Sequence, residues 1–450
     1  MKVGYRIMLL ICAFFLMRPL PVLGQDKVYD GEQVLLSWSD DSSHSQTITW
    51  HSAFQKAGYV QYNESGRPLS DRFQVKARLT KVEKTGYCRY EAVIKGLSQK
   101  TTYDYRIGDG TRWSKVRNFT TAPAADQNTA AFDAEDPIEF LYFGDVQYQD
   151  RYGDYKTWGK LAEDIRRRHP GIAFALSGGD MVNSGRKMKE WELFLESAEA
   201  VFSFIPLMPA IGNHEISAKA AKAASYLQLM ALPENGPQGL EEEFYSFDYA
   251  NCHITVMNSC FFEESRKAAE ADRWEEQLEQ INRWLEEDLT QSRAKWKILV
   301  MHHPAYGISD GDPIYNEIRQ QWEPIFESGK VNLVFCGHQH LYMRTKEMGG
   351  ITYIMGNSGK RRSTYFDGEN VPDYIEAIDA TNSNYQIVKA SEKELSVTSY
   401  DEEGQIIDKW TKGGKDVPWL LAGAAGIFIM HILGISAFLA LKKKRAVSLY

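Results

Sequence analysis

Five short stretches hold the residues best suited to chemistry: FGDVQYQD (Phe143–Asp150), LSGGDMVN (Leu176–Asn183), GNHE (Gly212–Glu215), HH (His302–His303) and GHQH (Gly337–His340). Each follows an apolar run that reads as a strand, so Asp145 with Gln147, Asp180, Asn213 with His214, His302 with His303, and His338 with His340 all fall at strand ends. In α/β folds, ligands gather at the carboxyl ends of strands. Carboxylates, amides and imidazoles converging there form a mixed oxygen and nitrogen donor set, which suits divalent first-row metals. The glycines beside them permit sharp turns, so that backbone and ligands can close around a small site.

The elements that must position these residues are legible in the pattern. Strands are predicted at Ile138–Phe143, Ile172–Leu176, Leu207–Ile211, Phe244–Phe247, His253–Met257, Lys297–Met301 and Val331–Cys336. Between them, Met188, Trp191, Leu195, Ala198 and Phe202 share one helical face, as do Trp274, Leu278, Ile281, Leu285 and Leu289. That alternation predicts an α/β domain over 138–412, a sandwich of mixed sheets flanked by helices, with a β-rich tail from Ile351 to Trp410. Residues 25–122 differ: short β-rich runs such as QTITWHSA, DRFQVKARLT and CRYEAVIKGL, separated by turn signals, predict an all-β sandwich. Trp113, Tyr103 and Tyr105 are expected in its core. Residues 123–137, rich in Ala, Pro and Asp, read as a linker.

The 450-residue chain exceeds one ordinary core. Its 52 Lys and Arg against 60 Asp and Glu give a net charge of −8 with no basic stripe, so nucleic-acid binding is not expected. The runs Glu241–Glu243 and Glu286–Asp288 read as solvated faces. Residues 1–24 place Lys2 and Arg6 before an apolar stretch and the small residue Gly24, the order of a secretory signal peptide. Trp419–Leu441 carries no formal charge; as a helix it would run about 34 Å, enough to cross a bilayer core of about 30 Å. The basic tail 442–450 then stays cytoplasmic and the body faces outward at the cell membrane. Cys88, Cys252, Cys260 and Cys336 are too few for a disulfide framework; Cys252 and Cys260 either pair or are buried apolar residues. Asn63-Glu-Ser65 and Asn118-Phe-Thr120 fit the glycosylation pattern. His44, His51, His169 and His253 lie outside any constellation and read as surface or packing residues.

The ordered set GD, GGD, GNHE, a histidine after an apolar strand, and GHQH resembles the calcineurin-like metallophosphoesterases over about Ile138 to Ser358. Within them the chain looks most like the purple acid phosphatases, whose N-terminal fibronectin type III-like domain is similar to residues 25–122. GLSQKTTYDYRIGDGTRWSKVRNFTTAP and ILVMHHPAYG carry that likeness. The resemblance implies that Asp145 and His340 hold one metal, that Asp180 bridges two, and that Asn213, His302 and His338 hold the second. His214, outside the metal shell, would contact the phosphoryl group and protonate the leaving oxygen. A shared carboxylate keeps two cations about 3.5–4 Å apart, and the pair acidifies a bridging water for in-line attack on phosphorus. The metals also neutralise charge on the equatorial oxygens.

Two positions depart from the purple enzymes. Asn183 stands where they have a tyrosine that binds ferric iron, and is alternatively a helix cap. Gln147 stands where they have glycine and where other metallophosphoesterases have a ligating histidine; it supplies an oxygen to the first metal or is a loop residue. A neutral oxygen there favours manganese, ferrous iron or magnesium over ferric iron, and zinc also belongs among the two divalent cations to be tested. Asn213, His214 and His303 would bind substrate, a phosphorylated small molecule or polymer, with His303 alternatively behind the ligands. Tyr148, Tyr306 and the loop Lys360–Arg362 are candidate wall residues. The rival readings are a phosphodiesterase or nucleotide pyrophosphohydrolase on the same centre, and a non-catalytic surface binding protein.

Overall fold

In the computed structural model of the chain, the described residues are 29, 31–53, 56–83, 85–123, 137–147, 155–216, 222–309, 311–364, 366 and 368–413. The expected signal peptide (1–24), nearly all of the linker, Tyr148, the apolar segment 419–441 and the basic tail lie outside them. Among the described residues no helix is long and apolar enough to cross a membrane.

The N-terminal part folds as expected into two four-stranded antiparallel sheets. Their core holds Trp50 stacked on Tyr90 at 5.1 Å, with Tyr103, Tyr105 and Phe119 beside them. Residues 138–413 build two further sheets. In one, Ile138–Phe143 pairs in parallel with Ile172–Ser177, which pairs in parallel with Leu207–Pro209. The other carries Tyr245–Tyr249, Cys252–Val256, Trp296–Val300, Leu333–Cys336, Thr352–Met355, Tyr342–Thr345 and Ile375–Asp379, in that spatial order.

Side chains alternate along a strand, so each sheet has two faces to cover. Residues of both sheets, such as Phe140, Phe174, Ile254, Ile298 and Phe335, share one core with Tyr155–Arg168 and Met188–Phe202, whose apolar stripes (Trp158, Ala162, Ile165; Trp191, Leu195, Ala198) pack into it. A second core sets Leu278, Ile281, Leu285 and Leu289 of Trp274–Gln291 against Leu299, Met301 and Val334. The architecture is therefore two mixed sheets face to face with helices outside, the sandwich of mixed sheets flanked by helices that was expected. The β-rich tail does not stand apart. Asn384–Ala390 pairs antiparallel with Ile138–Phe143 in the middle of the first sheet, locking the strand that presents Asp145.

The sandwich is joined to this body by core contacts. Trp38, fully buried, sets its ring 5.6 Å from Phe174, Phe247 and Tyr249. Arg89 donates to the Met230 carbonyl (2.7 Å), Tyr105 to the Ser203 carbonyl (2.7 Å), and Arg117 pairs with Glu199.

Several sequence expectations are corrected here. The acidic runs are not simply solvated: Glu243 is buried on Arg266 (2.7 Å) and Asn258 (2.8 Å), and Asp288 turns inward to His253 (2.9 Å), Thr255 and Ser246. His253 is accordingly the centre of a buried ionic cluster. The four cysteines of the described residues are free and buried, which settles the Cys252–Cys260 alternative for apolar packing.

Candidate metal centre

The five strand ends open at one edge of the facing sheets, and their loops are tied to one another. The Gly178 N–H donates to the Phe143 carbonyl (2.8 Å), Asp145 N–H to the Gly179 carbonyl (3.1 Å), Gln147 N–H to the Asp180 carbonyl (2.9 Å) and Gly337 N–H to the His302 carbonyl (2.9 Å). Asp145, Asp180, His338 and His340 adopt left-handed backbone, with φ of 52°, 54°, 77° and 54°. That region costs an L residue about 1–2 kcal/mol, and such strain collects where function over-determines the geometry.

Close approach explains two of the glycines. A Cβ on Gly212 would lie 2.2 Å from Asp180 Oδ1, and one on Gly337 would lie 2.1 Å from Asp145 Oδ2. No other residue fits without moving a carboxylate.

Two donor groups result, with Asp180 between them. On one side, Asp145 and His340 stand 3.5 Å apart (Oδ1 to Nε2), and the Gln147 amide lies 2.9 Å from Asp180 Oδ2 and 3.0 Å from His340 Nε2. On the other, Asn213 Oδ1 is 2.9 Å from His302 Nε2 and 3.1 Å from His338 Nδ1, and His302 Nε2 is 3.4 Å from Asp180 Oδ2. Asp145, Asp180 and His340, and separately His302, His303 and His338, each bring a donor atom within 4.8 Å of the others.

Hydrogen bonds orient the donors. His302 Nδ1–H donates to the Gly178 carbonyl (2.9 Å), which turns Nε2 toward Asp180 and Asn213. The Asp145 carboxylate accepts the His338 N–H at 2.9 and 3.0 Å. Glu215, 1% exposed, accepts the backbone N–H groups of Asp180 (2.7 Å), Gly212 (2.8 Å) and Val182 (3.2 Å) and so fixes the turn that presents Asp180. Sequence reasoning gave Glu215 no role; its only signal was its place in the GNHE tetrapeptide. Gln339 is also structural, its amide bridging Ile308, Ser309 and Tyr315.

The electrostatics suit cations. Burial lifts the Asp145 carboxyl to about 8 against the pull of His302, with the Asp180 charge adding to the rise. Asp180, despite the same burial, is held well below the usual range by His302 and His214. Burial brings His338 and His340 to about 3, helped by His302 and Arg361 respectively, so both are neutral and able to ligate. Burial lowers His302, but Asp180 outweighs it and raises it to about 10. A buried oxygen also awaits a partner. Among the described residues Gln147 Oε1 has none, while its amide nitrogen faces Asp180 and His340. Exchanging the two amide positions would set that oxygen among the same donors. In that exchanged orientation the oxygen could take a cation held by Asp180 and His340, so the donor set fits a metal pair.

The remaining expected residues divide. His214, half-buried, donates Nδ1–H to the Asn183 carbonyl (2.7 Å) and holds Nε2 3.8 Å from Asp180 Oδ2. Asn183 therefore acts through its backbone, and it caps no helix, since Met188–Phe202 begins after Lys187. His303 is 2% exposed, with Nδ1 3.0 Å from Ser259 Oγ and its ring 4.4 Å from that of His338, which places it behind the ligands rather than at the mouth. Tyr306 commits its hydroxyl to Glu323 (3.0 Å). Of the loop Lys360–Arg362, Lys360 is exposed, Arg362 is bonded to the Thr381 and Gly359 carbonyls, and Arg361 reaches the site, with Nη1 3.5 Å from His214 Nε2.

Comparison with known families and structures agrees with this geometry. Residues 32–121 match the purple acid phosphatase N-terminal domain, and residues 138–342 match the calcineurin-like phosphoesterases. Purple acid phosphatase 1 of Ipomoea batatas is 24% identical over 82% of this chain and 76% of its own length. Phosphoenolpyruvate phosphatase of Allium cepa is 24% identical over 83% and 72%. A solved purple acid phosphatase from yellow lupin (Lupinus luteus) seeds shares the fold, with a TM-score of 0.66 at 16% identity over 85% of this chain and 74% of its own.

Proposed function

The chain carries a purple acid phosphatase N-terminal domain and a calcineurin-like phosphoesterase domain, its curated homologues include purple acid phosphatases, and it is a metal-dependent phosphatase; on that premise we propose that it hydrolyses phosphate monoesters. The observation that carries the reading is Asp180, buried between two donor groups, with Oδ2 facing both and Oδ1 held by the His214 N–H. Asp145, Gln147, Asp180 and His340 would hold one cation, and Asp180, Asn213, His302 and His338 the other. Bound together, two divalent cations supply an acidified water at neutral pH and neutralise the phosphoryl oxygens.

The chain's own residues do the rest. Asn213, His214 and His338 are the half-buried members of the set, so substrate approaches from their side. His214, with Nδ1–H fixed on the Asn183 carbonyl, has Nε2 to carry a proton to the departing ester oxygen. The bond from phosphorus to that oxygen breaks, water supplies the new oxygen, and alcohol and inorganic phosphate leave. Gln147 offers a neutral oxygen, and no phenolate stands at Asn183; both favour manganese, ferrous iron or magnesium over ferric iron. The purified protein should be colourless, and a tyrosinate-to-iron visible band would refute this.

The reading also places the enzyme outside the cytoplasm, exported by residues 1–24 and anchored through 419–441. Protease added to intact cells should remove residues 25 to about 416; full protection would sink that topology. The activity is tested by stripping the full chain, reloading it with manganese and measuring p-nitrophenyl phosphate hydrolysis beside Asp180→Asn. Metal-dependent turnover lost in the variant is expected. Absence of turnover with any divalent metal in folded protein would overturn the proposal.

A further inference from the structure

The loop after Thr352–Met355 is built to deliver one cation. The Ser358 N–H donates to the Gly144 carbonyl (2.7 Å) and Gly359 N–H to the Asp145 carbonyl (3.0 Å), so the loop lies directly on the turn that carries a candidate ligand. Asn357 is fully buried; its N–H donates to Asn384 Oδ1 (3.1 Å) and its amide to the Arg361 carbonyl (2.9 Å). Arg362 spends its guanidinium on the Thr381 carbonyl (2.8 Å), the Gly359 carbonyl (3.0 Å) and Ser383. With Gly359, its own carbonyl and Arg362 held, Arg361 extends over the site, half-buried, to 3.5 Å from His214 Nε2. Its charge bears on Asp145 and His340 as well, so the guanidinium also overlooks the donor group that these two form.

A guanidinium has no acceptor and presents several N–H groups in a plane. Arg361 Nη1 and His214 Nε2, 3.5 Å apart, can both face oxygens of a single phosphoryl group, at ordinary bond lengths of about 2.8 Å. They are too close to serve two separate phosphates. We propose that Arg361 clamps a non-bridging oxygen of the reacting phosphoryl group and thereby selects dianionic phosphate monoesters over diesters. A monoester offers three non-bridging oxygens and two charges. A diester has one fewer of each, and its second ester group would press carbon against a desolvated guanidinium, so the same contact that holds one substrate rejects the other. The inference deepens the monoesterase reading and rests on it. It also narrows the expectation for the basic loop, because of its three cations Arg361 is the one whose guanidinium stands beside His214, while Arg362 is bonded back onto the loop and Lys360 is exposed.

The test uses the manganese-loaded full chain as wild type, Arg361→Gln and Arg361→Lys, with Arg67→Gln, an exposed residue of the sandwich, as a charge control. Two substrates with the same leaving group, p-nitrophenyl phosphate and bis(p-nitrophenyl) phosphate, are compared by kcat/KM, and inorganic phosphate binding is measured by calorimetry. Arg361→Gln should lower monoester kcat/KM and weaken phosphate binding by about 10- to 100-fold, leave the diester unchanged or improved, and be partly rescued by Arg361→Lys. Equal losses on both substrates would assign Arg361 a structural role and overturn the inference, as would unchanged phosphate binding. Wild type that turns over the diester alone would refute the monoesterase reading, and the calorimetric comparison would still decide whether Arg361 binds phosphate.

Discussion

A single added methyl group at Gly212 tests how tightly the bridging carboxylate is held. Its Cβ would fall 2.2 Å from Asp180 Oδ1 and 2.4 Å from the Asp180 nitrogen, and neither can yield freely, because Glu215 fixes that backbone N–H and the His214 N–H holds that oxygen. Ordinary carbon contacts start near 3.4 Å, so the two groups must part by more than about 1 Å, at an overpacking cost of about 1–3 kcal/mol. Misplacing a catalytic group by 1 Å costs about a hundredfold in rate. Gly212→Ala should therefore fold, with reduced stability, and lose about two orders of magnitude in kcat/KM and about 10- to 100-fold in metal affinity. The assays are urea unfolding, p-nitrophenyl phosphate turnover and manganese titration. Wild-type turnover and metal affinity in the folded variant would show that the Asp180 turn is loose and that the cradle argument fails.

Glu215→Ala leaves three buried N–H donors without their acceptor, which at about 1 kcal/mol or more each predicts a loss of at least about 3 kcal/mol in urea unfolding, together with lost metal binding. Burial lowers the His253 imidazolium, but Asp248 and Asp288 outweigh that and raise it to about 9. With the folded value above the unfolded 6.5, its stabilisation is complete below about pH 6.5 and fades as pH rises through 9, at most about 3 kcal/mol. The stability gap between wild type and His253→Gln should thus be large at pH 6 and small at pH 9.5, and an equal gap at both would refute the ionic cluster. Trp38→Ala should cost about 3–5 kcal/mol and weaken the hold of the sandwich on the catalytic body, read as a new early phase in unfolding followed by near-ultraviolet circular dichroism.

The site was more legible than its supports. Asp145, Asp180, Asn213, His302, His338 and His340 each lie just past an apolar strand, so local pattern placed them two to four residues beyond the strand ends that the structure shows. What local pattern cannot carry is pairing between distant segments. Asn384–Ala390 looks like any other β run, and nothing in it shows that it enters the sheet beside Ile138–Phe143 rather than forming a separate tail. The same limit hid Glu215, whose partners include backbone from the GGD loop 35 residues away, and Asp288, which reads as part of an acidic surface run until His253 appears beside it. His303 was ambiguous for a related reason: adjacent residues at a strand end point to different sides, and only packing against Ser259 and His338 decides which faces substrate.

The most direct test of the account is metal content against activity in one titration. Stripped full-length chain would be reloaded with manganese while bound metal is counted by mass spectrometry and p-nitrophenyl phosphate turnover is followed. The account predicts two manganese per chain, activity that appears only as the second is taken up, and loss of that second equivalent in Asp180→Asn. Full activity at one metal per chain, or two-metal binding untouched by Asp180→Asn, would contradict a centre bridged by Asp180.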